Sequence, residues 1–405
     1  MAMNHLTKTV GFVVGCTTAA LLPTSTFGLG IALPDQDAFA TARGNAFVAT
    51  ANDPAAIFYN PAGITQLNGL NTSLGAYGIV YQSTYKGDGT SVNGKTQLAV
   101  LPQVFTTLSI PKIHVTLGVG TYSPYGLRNE WPGSAPFVAV GETGQINYYT
   151  VNPVVAYKIC DTLSIAAGPT LNYSEADLKE YPTIPVGPGE FLSFVNHFRG
   201  RDIDVGFNAG ILWHPWTQHA FGVTYKSATD MNYEGHATIP PTSTSLSAQA
   251  NFHFPQTLDF GYSFRPTEKW NIEADGVWSD WSTLKTVNVN PLAPEGDAVP
   301  FNWKASWMID LGITRYLGEG WRVSGGYMYS MNTVPSANFN PLVPDSDRHI
   351  FSVGVGKSYK QFSWDAAYQL AWGPSRTVSG DGFPPADGRY EFLSNALTIN
   401  FGFHF

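Results

Sequence analysis

Nine histidines are the first place to look for chemistry. None stands in an H-E-x-x-H arrangement, which would set two imidazoles on one helix face for a metal ion. There is no G-x-S-x-G elbow and no glycine-rich phosphate loop. A Ser-His-acid set assembled from separate strands is the enzymatic arrangement that spacing leaves open. Cys16 and Cys160 cannot build a disulfide framework. The side chains left with something to do are two cations and a set of loop apolars. Lys304 falls at the polar parity of an alternating segment, and Arg348 closes a long break. Ion pairing with acids at polar positions, such as Asp310, Asp347, Glu273 or Asp275, is one use for them. Trp131, Phe137, Phe191, Leu192, Phe194, Val195 and Phe198 cluster in breaks where a soluble protein places polar residues. They either line an entrance groove or pack loops on one another. This is an inventory for binding, with no cofactor and no metal expected.

The elements that must carry these groups follow from composition and period. Of 405 residues only 13% are charged, while 14% are aromatic. Soluble domains carry about 25% charge, and disordered chains are poor in aromatics. A helical membrane protein is excluded by the absence, beyond the first 35 positions, of an apolar run of about 20 residues. The net charge of −8 argues against nucleic acid as a partner.

From Leu70 onward, segments of about ten residues alternate apolar and polar positions, the period of a strand with two unlike faces. At the C-terminus Leu397, Ile399, Phe401, Phe403 and Phe405 share one face, with Thr398, Asn400 and His404 on the other. Trp303, Ala305, Trp307, Ile309, Leu311 and Ile313 form another apolar set, opposed by Lys304, Ser306 and Asp310. Fourteen segments start near residues 70, 96, 114, 145, 163, 201, 220, 249, 270, 303, 321, 349, 362 and 395. The breaks between them alternate short and long. A sandwich has no reason to keep that rule, whereas an outer-membrane barrel has short periplasmic turns and long extracellular loops. The expected fold is all-β: a fourteen-stranded antiparallel outer-membrane β-barrel with its apolar face toward lipid and Trp and Tyr at the strand ends. A soluble barrel with its apolar face inward is the competing architecture.

Two segments precede the barrel. Residues 1–28 read as an export signal, with the apolar run Val10 to Leu22, Pro23 and a small-residue site ending at Gly28. Cys16 at the end of Val13-Val14-Gly15-Cys16 offers a weaker lipoprotein reading. Residues 29–67 are rich in Ala and Asn, are helix-compatible over Asp37 to Ala51, and place Asp53-Pro54 as a helix start and Pro61 as its stop. Composition does not decide whether they form a periplasmic tail or fold into the lumen.

Here Ala42-Arg43-Gly44-Asn45-Ala46, Asp53-Pro54-Ala55-Ala56 and Tyr59-Asn60-Pro61-Ala62-Gly63-Ile64 resemble the N-terminal hatch of FadL-type transporters, a family of long-chain fatty acid and aromatic-hydrocarbon channels. Phe207-Asn208-Ala209-Gly210, Ser279-Asp280-Trp281-Ser282, Asn302-Trp303-Lys304 and Val343-Pro344-Asp345-Ser346-Asp347-Arg348 extend the resemblance over the mature chain. The resemblance implies a partly helical hatch, residues 29–67, inside a barrel of residues 68–405. It also implies lateral exit at a kinked third strand, which matches Ser123, Pro124, Tyr125 and Gly126. Pro124 removes a ladder donor and Gly126 contributes no side chain, so pairing weakens there, unless the two merely end the strand. The resemblance assigns Lys304 and Arg348 to the anionic head of a ligand, Asn60, Pro61, Ala62 and Gly63 to the hatch motif, and Phe39 and Phe47 to hatch contacts with ligand or barrel wall. Trp131, Phe137, Phe191, Phe194 and Phe198 fall to the entrance groove. A basic residue of the fifth strand is replaced by Glu175, a departure that weakens the case for a fatty acid and favours a neutral or differently charged ligand.

The expectation is therefore a monomeric passive channel in the outer membrane of a Gram-negative bacterium, taking up a hydrophobic small molecule, most of all long-chain fatty acids. Its partners are that ligand, membrane lipid and, through the terminal Phe405, the barrel-assembly machinery. Uptake of aromatic or other neutral hydrocarbons is the alternative within transport, and a structural or adhesive barrel without transport or a barrel phospholipase the alternatives outside it.

Overall fold

A computed structural model describes residues 30–405 apart from 88, 188–189, 194, 240–243, 291–298 and 381–383. The expected export signal and Phe194 lie outside the described residues. Fourteen antiparallel strands close into a barrel. In chain order they are β1 (Leu70–Gly87), β2 (Gln97–Ile110), β3 (Val115–Tyr122, resuming as Gly126–Glu130), β4 (Thr143–Cys160) and β5 (Leu163–Glu180). Then come β6 (Asn196–Trp216), β7 (His219–Lys226 and Thr229–Ile239), β8 (Thr244–Phe254 and Thr257–Thr267) and β9 (Trp270–Ser279). The last five are β10 (Ser306–Gly318), β11 (Trp321–Ser330), β12 (Arg348–Ser358), β13 (Phe362–Trp372) and β14 (Gly388–His404). Each strand pairs with its chain neighbour, and β14 pairs with β1 from Asn71↔His404 to Lys86↔Arg389 to close the ring. Phe405 extends that seam through reciprocal amide bonds with Leu70 of 2.8 and 2.9 Å.

Alternation sorts the composition into two surfaces. Along β6, Ile203, Val205, Phe207, Ile211 and Trp213 are exposed, while Asn208 and Leu212 are buried. Along β14, Leu397, Ile399 and Phe401 are exposed and Ala396, Thr398 and Asn400 buried. An exposed apolar face is stable only against lipid, which agrees with a closed barrel whose strands pair around the ring. Aromatic rings mark both edges of the belt: Trp278 opposite Trp307 at one end of β9 and β10, and Trp321 and Trp364 on either side of Lys357 at the other end of β11 to β13.

Two boundaries differ from the expected ones. The segment expected to start at 303 begins at Ser306, so strand parity does not govern the three residues 303–305. Trp303 is buried and Lys304 exposed, the reverse of the expected placement. The cause is loop packing. Trp303 stacks edge-on against Trp281 at 4.9 Å, and the Lys304 amide donates to Thr333 O. Strands β7 and β8 also run on to Ile239 and from Thr244, the second ahead of its expected start near 249.

Residues 30–67 form short elements with almost every side chain buried. The helix expected over Asp37 to Ala51 spans only Ala38–Ala42, capped by Asp37, whose carboxylate accepts from the Phe39 and Ala40 amides. It stops because Gly44 and Asn45 take φ of 60° and 61°, the left-handed region that ends a helix. Asp53 accepts from the Ala55 amide at 2.8 Å just ahead of helix Ala56–Tyr59. Pro61 opens a 3-10 turn, Pro61–Gln66, in place of a simple stop.

Candidate functional site

The N-terminal segment touches inward-facing side chains on strands around the whole ring, and two adjacent acids of β9 hold it most firmly. Asp275 accepts from the amides of Phe47 and Val48 at 2.7 and 2.8 Å. Glu273 accepts from the amides of Ala49 and Thr50 at 2.7 and 3.1 Å, and pairs with Arg43 at 3.0 Å with both side chains fully buried. On the opposite wall Gln369 donates to Asp35 at 2.8 Å, Gln103 donates to the Asp35 carbonyl at 2.7 Å, and Asn400 accepts from the Ala38 amide at 2.8 Å. Asn60 caps its own turn by accepting from the Ala62 amide and donates to Val48 O and Ile211 O, both at 2.9 Å. Gly63 lies so close to Ala51 that a Cβ there would stand 2.2 Å from its carbonyl oxygen. Asn60, Pro61, Ala62 and Gly63, the residues of the expected hatch motif, are all buried. Phe39 and Phe47 pack edge-on at 5.6 Å with the Arg43 guanidinium over both rings, and neither lines the two apolar cavities at the third strand. Burial, then the neighbouring Asp365 carboxylate, pushes Asp37 up to about 6, against the two amides that its side chain accepts from.

The third strand is broken. β2 pairs with β3 only from Val104↔Thr121 to Ile110↔Val115. The upper part of β3, Gly126–Glu130, pairs with β4. Among the described residues, 97–103 of β2 have no ladder partner on that side until the Lys95 amide reaches Glu130 O at 2.8 Å. The N-terminal segment fills part of the missing ladder from inside. Ala32 bridges Tyr125, the Leu33 amide donates to Pro124 O at 2.8 Å, and the Gly126 amide donates to Ile31 O at 2.9 Å. Ser123 is held by Gln36, whose side chain donates to Ser123 O at 2.8 Å and accepts from the Ser123 amide. Pro124 offers no amide and Gly126 no side chain, and a Cβ at Gly126 would meet Leu33 at 2.8 Å.

Two cavities meet at this break. The upper, about 380 Å³, is lined mostly by apolar groups, including Phe198, Tyr233, Phe252, Phe301 and Leu342. The lower, about 360 Å³, is lined by Ser123, Tyr125, Gly126, Tyr81, Phe392 and Arg348 among others. Leu98 and Val100 also line it, and each is 60% exposed on the outward face, so the lower cavity reaches the lipid side of the wall. Ile31, Leu127, Ile146 and Val343 border both cavities. A third cavity, about 1050 Å³, is lined by outward polar residues such as Glu175, Arg201 and Glu234 and does not suit an apolar ligand.

Of the sequence-selected groups, Arg348 lines the lower cavity with its guanidinium 5.8 Å from the Phe392 ring centroid. Lys304 lines neither cavity. Phe198 lines the upper cavity. Trp131 and Phe137 are fully buried, edge-on to each other at 5.0 Å, and pack with Tyr85 and Tyr390 as loop core. Phe191 lies in the short strand Glu190–Ser193. Glu175 is exposed on the outer face, accepting from the Tyr173 hydroxyl, so its charge does not face either apolar cavity. Sequence reasoning missed Ile31 to Leu33 as the pairing segment and Glu273 with Asp275 as its holders. Two acids at i and i+2 on one strand face were the available signal for the latter.

Comparisons agree with this architecture. The model of the family "Outer membrane protein transport protein (OMPP1/FadL/TodX)" matches residues 19–405. A long-chain fatty acid transport protein of Salmonella typhi is 24% identical over 422 residues, covering 94% of this chain and 92% of that one. The counterpart in Escherichia coli K12 is 23% identical with the same coverage. Among solved structures, a Pseudomonas aeruginosa FadL homologue superposes with a TM-score of 0.84 at 18% identity, over 93% of this chain and all of that one. The Ralstonia pickettii toluene transporter TbuX gives 0.70 at 18% identity, over 91% and 98%. The chain belongs to the OMPP1/FadL/TodX family of outer-membrane transport proteins.

Proposed function

We propose that this barrel takes up long-chain fatty acids passively, and that residues 29–67 act as a hatch whose movement releases ligand sideways through the break in β3. The observation that carries the reading is the position of Ile31, Ala32 and Leu33. They supply hydrogen-bond partners to the broken strand, all three line the lower cavity, and Ile31 borders the upper one as well. A ligand entering beside Phe198 and Phe252 buries its tail in the upper cavity at about 0.8 kcal/mol per methylene. Withdrawal of Ile31 to Leu33 then joins that cavity to the lower one and to the lipid-facing gap beside Leu98. No nucleotide is required, because partition into the membrane drives the exit.

Arg348 in the lower cavity is the group suited to a carboxylate head, since a buried anion must be paired. One observation favours a neutral hydrocarbon instead: the cation of the upper cavity, Lys179, is paired with Glu142 at 2.9 Å. Competition separates the readings. Palmitate that binds the purified barrel and is displaced by a second fatty acid but not by toluene supports the first; toluene that binds where palmitate does not supports the second.

A further inference from the structure

Along β9 to β13 the two aromatic girdles differ in charge. At the extracellular edge the outward cross-strand rungs of β9 to β13 are Trp278 with Trp307, and Tyr329 with His349 and Trp372. None of these positions is Lys or Arg. At the periplasmic edge, where the short turns lie, the same strands place Arg315 opposite Trp270, and Lys357 between Trp321 and Trp364. The Arg315 guanidinium is 4.9 Å from the Trp270 ring centroid, and the Lys357 ammonium is 4.6 Å from that of Trp321 and 4.9 Å from that of Tyr359. The adjoining turns add Lys269 and Lys360 against Glu268 and Glu319. Among these outward girdle rungs of β9 to β13, the cations therefore stand on the periplasmic side.

We propose that this rim, from β9 to β13, is a binding surface for anionic phospholipid headgroups of the inner, periplasmic leaflet. Each cation leans on an aromatic face, which limits its rotamers and holds it at headgroup depth. Indole N–H groups at the same depth donate to phosphate or ester oxygens. Immediately above, Ile272, Ile313, Val323 and Val355 offer apolar wall to the acyl chains. A zwitterionic headgroup brings its own ammonium to the same rungs and is disfavoured beside Arg315 and Lys357. Charge complementarity and continuity with the apolar belt select a lipid over a soluble partner.

The test uses the full-length mature barrel in mixed micelles holding equal amounts of phosphatidylglycerol and phosphatidylcholine, with retained lipids counted by native mass spectrometry. Each interfacial cation contributes about a fivefold preference. Wild type should therefore retain phosphatidylglycerol over phosphatidylcholine by more than fivefold, and raising the salt should erode that preference. Arg315→Gln with Lys357→Gln should bring the ratio close to one, the exchanged pair Arg315→Lys with Lys357→Arg should keep it, and Lys285→Gln in an extracellular loop should not change it. Equal retention of the two lipids by wild type overturns the proposal. So does an unchanged ratio in the double Gln variant, or an equal loss in Lys285→Gln. Should the double variant lose the folded-barrel mobility on an unheated gel, the two single variants and the wild-type salt series decide.

Discussion

Replacing Glu273 by Gln should loosen the N-terminal segment without opening the barrel. Glu273 takes the Ala49 and Thr50 amides at 2.7 and 3.1 Å and the Arg43 guanidinium at 3.0 Å, with both charged side chains wholly buried. Glutamine keeps the shape and one carbonyl acceptor, so the amide bonds partly survive. Arg43 is then left as a buried cation without its counter-charge, and breaking a buried pair from one side costs about 3 to 5 kcal/mol. If that cost falls on local detachment of the segment, the detached population rises by roughly 150- to 5,000-fold, at about 1.4 kcal/mol per decade. Hydrogen exchange in detergent reads it directly: peptides covering residues 43–52 should exchange faster by two to four orders of magnitude, while β9 and β10 keep their protection. Exchange over 43–52 within about threefold of wild type would refute the claim that this acid holds the segment. Equal acceleration in the strands would show that segment and barrel open as one unit.

Other outcomes follow from the same geometry. Arg348→Gln should weaken palmitate binding by roughly 10- to 150-fold, the worth of one charge-assisted bond, and leave toluene binding unchanged; equal loss of both ligands would remove the head-group role. Pro124→Val with Gly126→Val should slow uptake by reconstituted vesicles while binding in detergent persists, because a ladder donor returns at 124 and strand-favouring side chains stand at both positions. Uptake at the wild-type rate would count against the lateral route. Asp37 is pushed up to about 6 from an ordinary carboxylate value of 3.8, so its contribution to stability is fully present below about 3.8 and is lost as pH rises through about 6. Exchange protection of residues 36–44, corrected for intrinsic chemistry, should therefore fall between about pH 4 and 7, and Asp37→Asn should flatten the profile. A profile that rises over that range would contradict the sign.

The barrel was legible because lipid on one face and lumen on the other enforce a period of two, which survives even where the polar face is mostly Gly, Ser and Asn. Parity failed at Trp303 and Lys304 for a physical reason: a loop aromatic that packs on Trp281 looks the same as a lipid-facing one when only alternation is read. Trp131 and Phe137 misled for a related reason, since a loop core and a binding groove demand the same side chains. The kink at Ser123 to Gly126 was readable from Pro and Gly, but its partner was not. Ile31 to Leu33 meet it about 90 residues away in sequence through backbone atoms, and backbone pairing leaves little mark on residue type. The β9 acids were hidden among other inward carboxylates, because only the fold shows that four successive amides of the N-terminal segment turn toward them.

The central claim, that Ile31 to Leu33 must leave the β3 break for ligand to pass, is tested most directly by fixing them there. Ala32 and Tyr125 are a bridged antiparallel pair, a spacing of about 4.5 to 5.5 Å between Cα atoms that a disulfide accommodates. In a Cys160→Ser background, Ala32→Cys with Tyr125→Cys can be oxidised and reduced in the same vesicles. The account predicts that the oxidised barrel binds palmitate yet takes up almost none, and that reductant restores uptake. Uptake at the wild-type rate with the cross-link in place would contradict it.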